Sequence, residues 1–432
     1  MKNDRSESKI IAACARRRIW SLLGVFAGTA VGATLLTTEA KAGSQGQAWN
    51  IVWSDEFNSL NTGNWNVTDV QSGVNSEWEY YTPNHVWSDG SHLVIKSDNG
   101  CTDTHGNWHS WCSGEVASYY QLYPGAAVEW RTQVPENQGI WPANWLVSAA
   151  CPLPLAQGNC SAWPPEIDVM EMINWNDNNG FTDWWNVYPN QQSDHSSCQS
   201  PGGCGHGSGI SSTFAGGYHT FRVEWGVNGW INYYVDGFPS SQHWNNTPGP
   251  MRIVINTAIG GGSTGGANGS GWPQYQYVDY VRVYQLGSII NGGHYRLDSR
   301  TSGMVLDDNG GGNGNHTVQW DNWDSTNQRW TFWSQGGGWW ELQDTRDSGY
   351  CLDNGGSSTQ GANVNTWSCQ GGNTNQNWYP YSPNSDGWSQ VSVQTSNQCL
   401  DNGGSTSDGA IPHQWGCQGG NTNQAWEIIQ EP

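Results

Sequence analysis

Between residues 43 and 286, apolar and polar positions alternate in short runs, and Gly, Asn, Asp or Pro closes nearly every run. His92-Leu-Val-Ile-Lys96, Phe221-Arg-Val-Glu-Trp225, Ile231-Asn-Tyr-Tyr-Val235 and Tyr277-Val-Asp-Tyr-Val-Arg-Val-Tyr284 carry the period of two expected of strands that bury one face. No segment offers the 3.6-residue period of a long amphipathic helix. A region of about 240 residues with this texture predicts one all-β sandwich rather than two small domains. The pattern changes near 287–291, which predicts a linker, and from 292 to 432 the chain repeats itself. Gln328-Arg-Trp330, Gln376-Asn-Trp378 and Gln424-Ala-Trp426 recur every 48 residues, and Cys351-Leu-Asp-Asn-Gly-Gly returns as Cys399-Leu-Asp-Asn-Gly-Gly. A unit this short cannot bury a core alone, so three copies predict pseudo-threefold packing with one Trp of each Gln-x-Trp filling a shared centre.

Residues 1–42 read differently. Arg16-Arg17-Arg18 precede an apolar run from Ile19 to Leu36, and Ala40-Lys41-Ala42 offers small residues for cleavage, the layout of a secretion signal. Its removal leaves no segment for stable membrane insertion and predicts a secreted, extracellular protein.

Composition narrows the chemistry. The 432 residues include 57 Gly and 30 Trp, with 16 Lys+Arg against 37 Asp+Glu and a net charge of −21. That balance argues against nucleic acid as a partner, since phosphate binding needs clustered Lys and Arg, and it favours a neutral partner. Eleven cysteines become ten when Cys14 leaves with the signal, an even number suited to an oxidising compartment. Their order suggests local bridges Cys101–Cys112, Cys151–Cys160, Cys198–Cys204, Cys351–Cys369 and Cys399–Cys417. Nothing in the chain specifies an oligomeric state.

The densest chemistry lies in Trp163-Pro-Pro-Glu166-Ile-Asp168-Val-Met-Glu171. On a strand Glu166 and Asp168 face one side and Ile167 and Val169 the other, while Glu171 is out of phase. One extra residue, a bulge near Val169–Met170, returns Glu171 to the acidic face. Three acids on one face of an apolar strand suit glycoside cleavage by paired carboxylates.

At these residues the chain resembles glycoside hydrolase family 16, the group of laminarinases, lichenases and agarases. The resemblance extends through Val52-Trp-Ser-Asp-Glu-Phe57, Glu79-Tyr-Tyr-Thr82, Gly139-Ile-Trp-Pro-Ala-Asn-Trp145 and Val278-Asp-Tyr-Val-Arg-Val-Tyr284. It implies a concanavalin-like β-jelly-roll over 43–286, with Glu166 as nucleophile, Glu171 as acid/base and Asp168 as auxiliary acid. It also implies that Trp141, Trp145, Trp163 and Asn75 line donor sugar sites, and that no cofactor takes part in catalysis. Some members hold a structural calcium, which by resemblance would fall near Glu56 and Asp279. Two departures touch linkage specificity: Asn186-Val-Tyr188 lacks the histidine often found after the catalytic strand, and Gly260-Gly-Gly-Ser-Thr-Gly-Gly266 replaces a Gly-Gly-x-Trp loop.

The repeats resemble the ricin-type β-trefoil lectins, carbohydrate-binding module family 13, which implies a C-terminal β-trefoil. Carried over, the sugar-binding sets are Asp307, Trp320 and Asn327; Asp353, Trp367 and Asn375; and Asp401, Trp415 and Asn423. Val305 stands where the other repeats have Cys351 and Cys399, so the first repeat has no bridge. Together these resemblances imply a secreted retaining endo-glycosidase acting on a neutral β-glucan with β-1,3 or mixed β-1,3-1,4 linkages, targeted to its polysaccharide by a lectin module. A galactan- or agarose-type hydrolase or a transglycosylase of the same family remains open, as does a non-catalytic lectin built from two sugar-binding domains.

Overall fold

A computed structural model describes residues 46–432 apart from 136, 138, 156–159, 164, 173–182, 189–194, 199–216, 245–247, 262–265, 268–270 and 384–386. The secretion signal expected over 1–42 and the Cys198–Cys204 bridge lie outside the described residues. Among those described there is no α-helix, and no helix is long and apolar enough to cross a membrane.

The N-terminal region is a sandwich of two sheets. The site-bearing sheet has seven strands in the order His195–Cys198, Asp183–Tyr188, Glu166–Glu171, Ile140–Ser148, Met251–Ile259, Glu115–Ser118 and Trp65–Val67. The second sheet is built around the long strand Gln274–Ser288, which pairs with Ala126–Gln133 on one edge and with Gln47–Asp55 and Leu93–Thr102 on the other. Alternation places Ile167, Val169, Ile253, Ile255, Val128, Trp130, Val281 and Val283 between the sheets, where they form one buried core.

The C-terminal repeats close a trefoil. His294–Ser299 pairs antiparallel with Trp426–Glu431, which joins the first repeat to the last. Trp330, Trp378 and Trp426 share a buried core, and each indole Nε1 donates to the same point in its own repeat: Leu306 O at 3.1 Å, Leu352 O at 2.9 Å and Leu400 O at 3.0 Å. The tryptophan of each Gln-x-Trp is thus structural. Cys351–Cys369 and Cys399–Cys417 are bridged, and Val305 fills the equivalent place in the first repeat as a buried apolar side chain. Cys101–Cys112 and Cys151–Cys160 are bridged in the sandwich.

The linker expected at 287–291 is largely absorbed into the fold. Strand Gln274–Ser288 runs to Ser288, paired with Gln47, and Ile289 enters the trefoil core beside Ala48. The two regions then meet over a continuous buried surface. Trp49 pairs with Ile429, and these two pack with Ala127 and Tyr284 in one apolar cluster. Around it lies a buried ionic network. Arg296 of the trefoil binds Glu129 of the sandwich at 2.6 Å, and Arg282 of the sandwich binds Glu431 of the trefoil at 2.7 Å and Asp324 at 3.1 Å. Arg222 sits against Glu224 at 2.9 Å and 5.1 Å over the Trp49 ring.

This network also accounts for the residues considered for calcium. Glu56 accepts from Arg282 Nε at 3.1 Å and Nη2 at 2.9 Å, and Asp279 pairs with Arg131 at 2.5 Å. Guanidinium groups supply the positive charge that a divalent ion would bring, and they take both oxygens of Glu56 and Oδ2 of Asp279. The two carboxylates therefore do not fit an oxygen cage for calcium.

Candidate active site

The strand Glu166–Glu171 is third of the seven in its sheet, paired with the central strand Ile140–Ser148. Ala143 faces Glu171, Asn144 faces Met170, and Trp145 already faces Asp168, so Val169 is the extra residue. Val169 and Met170 both turn into the core. This bulge changes the phase of the strand by one residue, and Glu166, Asp168 and Glu171 consequently line the same cleft.

The cleft has a volume of about 320 Å³. Each outer carboxylate receives an indole: Trp163 Nε1 donates to Glu166 Oε2 at 3.1 Å, and Trp141 Nε1 donates to Glu171 Oε1 at 2.9 Å. Trp145 also lines the cleft but donates at 2.8 Å to Asn256 Oδ1, and Asn256 in turn donates at 3.0 Å to the buried Tyr81 hydroxyl. Asn75 also lines the cleft, with a left-handed backbone (φ 50°) and its amide donating to Glu77 Oε1 at 3.2 Å. The four sugar-site residues expected from sequence all reach the cleft.

Burial, with the nearby Glu171 charge, pushes Glu166 up to about 8, against the opposing hydrogen bond from Trp163. The proton responsible belongs to the Glu166–Glu171 pair, because two carboxylates this close titrate together. A cleft holding one proton on paired carboxyls near neutral pH can protonate a leaving oxygen while keeping a carboxylate for attack.

Sequence reading missed a second set of acids. Glu77 and Glu115 line the cleft, and Glu79 lies wholly buried behind Glu77. Glu77 accepts from Ser72 at 2.6 Å, Glu115 from Thr68 at 2.7 Å and Glu79 from the Ile259 amide at 2.7 Å. Burial raises Glu77, and burial together with the Glu77 charge raises Glu79 well above the usual carboxylate range. Glu77 and Glu79 share the i, i+2 spacing that flagged Glu166 and Asp168, so the same test applied to Asn75-Ser-Glu-Trp-Glu79 could have found them. Glu115 is a single acid in a short strand and carries no such signal. The wall made by Cys151, Leu155 and Cys160 was also missed, because only the folded bridge brings these three side chains to the cleft.

In the trefoil, the first set is closed on itself: Asn327 donates to Asp307 at 2.6 Å. In all three sets the acid is also held by a turn amide, Asn309 N on Asp307 at 2.8 Å, Gly355 N on Asp353 at 2.6 Å and Gly403 N on Asp401 at 2.8 Å. Gln424 also donates to Asp401 at 3.0 Å. Asn375 and Asn423 accept instead from Thr395 at 2.6 Å and Thr301 at 2.9 Å. Trp367 and Trp415 remain 39% and 38% exposed, whereas Trp320 is half-buried beside Trp323.

Comparison with known proteins agrees with this division. Residues 72–281 match the family model described as glycosyl hydrolases family 16, and residues 282–367 and 326–415 match the ricin-type β-trefoil lectin domain-like model. The chain is 28% identical over 271 residues to a glucan endo-1,3-beta-glucosidase A1 of Niallia circulans, covering 55% of this chain and 38% of that relative. It is 26% identical over 273 residues to a beta-glucanase of Rhodothermus marinus, covering 55% of this chain and 85% of that protein. Among solved structures, the endo-beta-1,3-glucanase of Pyrococcus furiosus aligns at 26% identity with a TM-score of 0.47, over 56% of this chain and 96% of that one. Across the first three curated relatives, the chain spans between 35% and 42% of the relative's length. Residues 72–281 are a glycosyl hydrolase family 16 domain, and the chain continues from 282 into a ricin-type β-trefoil lectin-like domain.

Proposed function

We propose that this chain is a secreted, retaining endo-β-glucanase that cuts a neutral β-1,3- or mixed β-1,3-1,4-linked glucan and is held to its polymer by the trefoil. The observation that carries the reading is the convergence of Glu166, Asp168 and Glu171 on one cleft through the Val169 bulge, with an indole N–H on each outer carboxylate. The relatives named as glucanases support the substrate class, and a cleft that adds Glu77 and Glu115 to the catalytic acids disfavours sulfated or uronate-rich glycans.

In the first step the Glu171 carboxyl gives its proton to the glycosidic oxygen as the C–O bond breaks. The Glu166 carboxylate attacks the anomeric carbon, which yields a glycosyl ester and releases the shortened chain. Glu171, now ionised, takes a proton from water. The hydroxide adds to the anomeric carbon, and Glu166 leaves as carboxylate, so the starting configuration is restored. Asp168 lies between the two glutamates in sequence, on the same face of the strand, and its charge helps to place the shared proton. The Trp163 N–H stabilises Glu166 as an anion. The flat faces of Trp141, Trp145 and Trp163 suit the apolar faces of pyranose rings.

A reducing-sugar assay on laminarin, mixed-linkage glucan and agarose, with NMR of the first-formed anomer, tests this reading. Production of β-anomer from a glucan is expected; agarose alone as substrate, or α-anomer first, overturns it. Azide rescue assigns the two glutamates. The nucleophile-deficient Glu166→Ala should give the inverted α-glycosyl azide and Glu171→Ala the β-glycosyl azide, and exchanged products would reverse the roles.

A further inference from the structure

Strand Met251–Ile259 carries the cleft wall toward a group of indoles. Asn256 and Ala258, alternate residues of strand Met251–Ile259, line the cleft, and Gly260 is next in that series. A Cβ on Gly260 would fall 2.4 Å from the Trp78 indole, and one on Gly266 would fall 3.1 Å from it. Two glycines thus let the ring lie against bare backbone just past the end of that strand. Trp78 is fixed there by its own amide, which donates to Ile259 O at 2.9 Å, and by the bridge between Glu77 and Gly260. The preceding turn holds two consecutive non-glycine residues, Asn75 and Ser76, in the left-handed region (φ 50° and 61°). That conformation costs on the order of 1–3 kcal/mol per residue and gathers at ligand clamps.

Despite this packing, Trp78 is 43% exposed. Trp111 lies 6.1 Å away and Trp272 lies 4.9 Å beyond that, so three indoles adjoin. On the cleft side of Trp78 stand the Glu77 carboxyl and the Asn75 amide, already hydrogen-bonded to each other. An apolar plate beside hydrogen-bonding groups, continuous with a sugar cleft, matches a pyranose ring, which has one C–H face and a rim of hydroxyls.

Building on the function proposed above, we infer that Trp78, backed by Trp111 and Trp272, forms a distal donor-side subsite for a further pyranose of the same neutral glycan, with Glu77 and Asn75 reading its hydroxyls. The subsite rewards chains long enough to reach it and favours cutting within a polymer.

The test uses the full chain and compares kcat/KM for laminariheptaose with kcat/KM for the shortest laminari-oligosaccharide that the wild type cleaves. In Trp78→Ala the ratio of long to short should fall about tenfold, the worth of one aromatic stack at roughly 1.4 kcal/mol per tenfold. Trp78→Phe, which keeps a plate, should recover most of the ratio. A wild type inactive on laminarin and on mixed-linkage glucan overturns the functional reading and this inference with it. An active wild type whose Trp78→Ala variant loses the same factor at both lengths, or none, overturns the inference alone.

Discussion

At the scale of single residues, the cleft trades stability for a usable proton. The Glu166–Glu171 pair keeps one proton up to about pH 8 in the fold, whereas a carboxyl of the unfolded chain gives it up near 4.5, so between those values the folded state binds more protons and loses stability as pH rises. Glu166→Gln removes that penalty. Its melting temperature should match wild type at pH 4 and exceed it at pH 9 by an amount worth a few kcal/mol, since each tenfold change in proton affinity is about 1.4 kcal/mol. Turnover by the same variant should fall by at least about 10³-fold, because the amide cannot form the glycosyl ester. The wild-type pH–rate profile on a soluble oligosaccharide should lose activity on the alkaline side around pH 8, as the pair gives up the proton meant for the leaving group. An alkaline limb that stays flat to pH 10 would remove Glu166 and Glu171 as a proton-sharing pair.

At the scale of elements, one extra residue sets the phase of the catalytic strand. Val169 shifts the phase so that Glu171 joins Glu166 and Asp168, and the alternation of a regular strand would instead send Glu171 to the core. Deletion of Val169 would leave Glu166-Ile-Asp168-Met-Glu171 in plain alternation with the three acids still on one face, so turnover should survive it and the far-ultraviolet circular dichroism keep its β signature; complete loss of turnover would show that the bulge does more than set the phase. The trefoil repeats invite a parallel comparison. Asp353 and Asp401 each have an exposed indole nearby in their set, whereas Asp307 is tied to Asn327 and its Trp320 is half-buried. Binding of the full chain to insoluble polysaccharide should fall several-fold for Asp353→Ala/Asp401→Ala and stay near wild type for Asp307→Ala. Equal retention by all three proteins would take these acids out of sugar binding.

At the scale of the whole molecule, sandwich and trefoil share a buried network in which acids outnumber arginines. Arg222, Arg282, Arg296 and Arg329 meet Glu56, Glu129, Glu224, Asp298, Asp324, Glu427 and Glu431. Burial raises Glu431 to about 7 in spite of Arg296 and Arg282, and burial with the Glu224 charge raises Glu427 well above its ordinary value. A raised carboxyl contributes stability that is full below about pH 4.5 and is lost as pH climbs through the folded value. Unfolding should therefore need more denaturant at pH 5 than at pH 8, and Glu427→Gln should reduce that difference. Arg296→Met strands Glu129, Asp298 and Glu431 and should cost roughly 3–5 kcal/mol. A truncation at 291 would bare Trp49, Tyr284 and the same charges, so the role of the trefoil is better tested by point variants in the full chain.

The sequence by itself determined the β class, the two-part division, the threefold core of Trp330, Trp378 and Trp426 and the acids on the Glu166–Glu171 strand. Each follows from a local rule: alternation, repetition, or the pairing of carboxylates along a strand. Even the bulge was legible, because three acids out of phase require an extra residue. Tertiary structure alone decided what depends on segments far apart in the chain. Glu56 and Asp279 meet arginines because strand pairing carries Arg282 and Arg131 to them, which no spacing encodes. Residues 287–289 join the fold because the outer sheet and the trefoil bury apolar and charged surface against each other. The Trp78 plate exists because Gly260, far along the chain, leaves room for an indole, and a missing side chain has no pattern in a sequence until its neighbour is known.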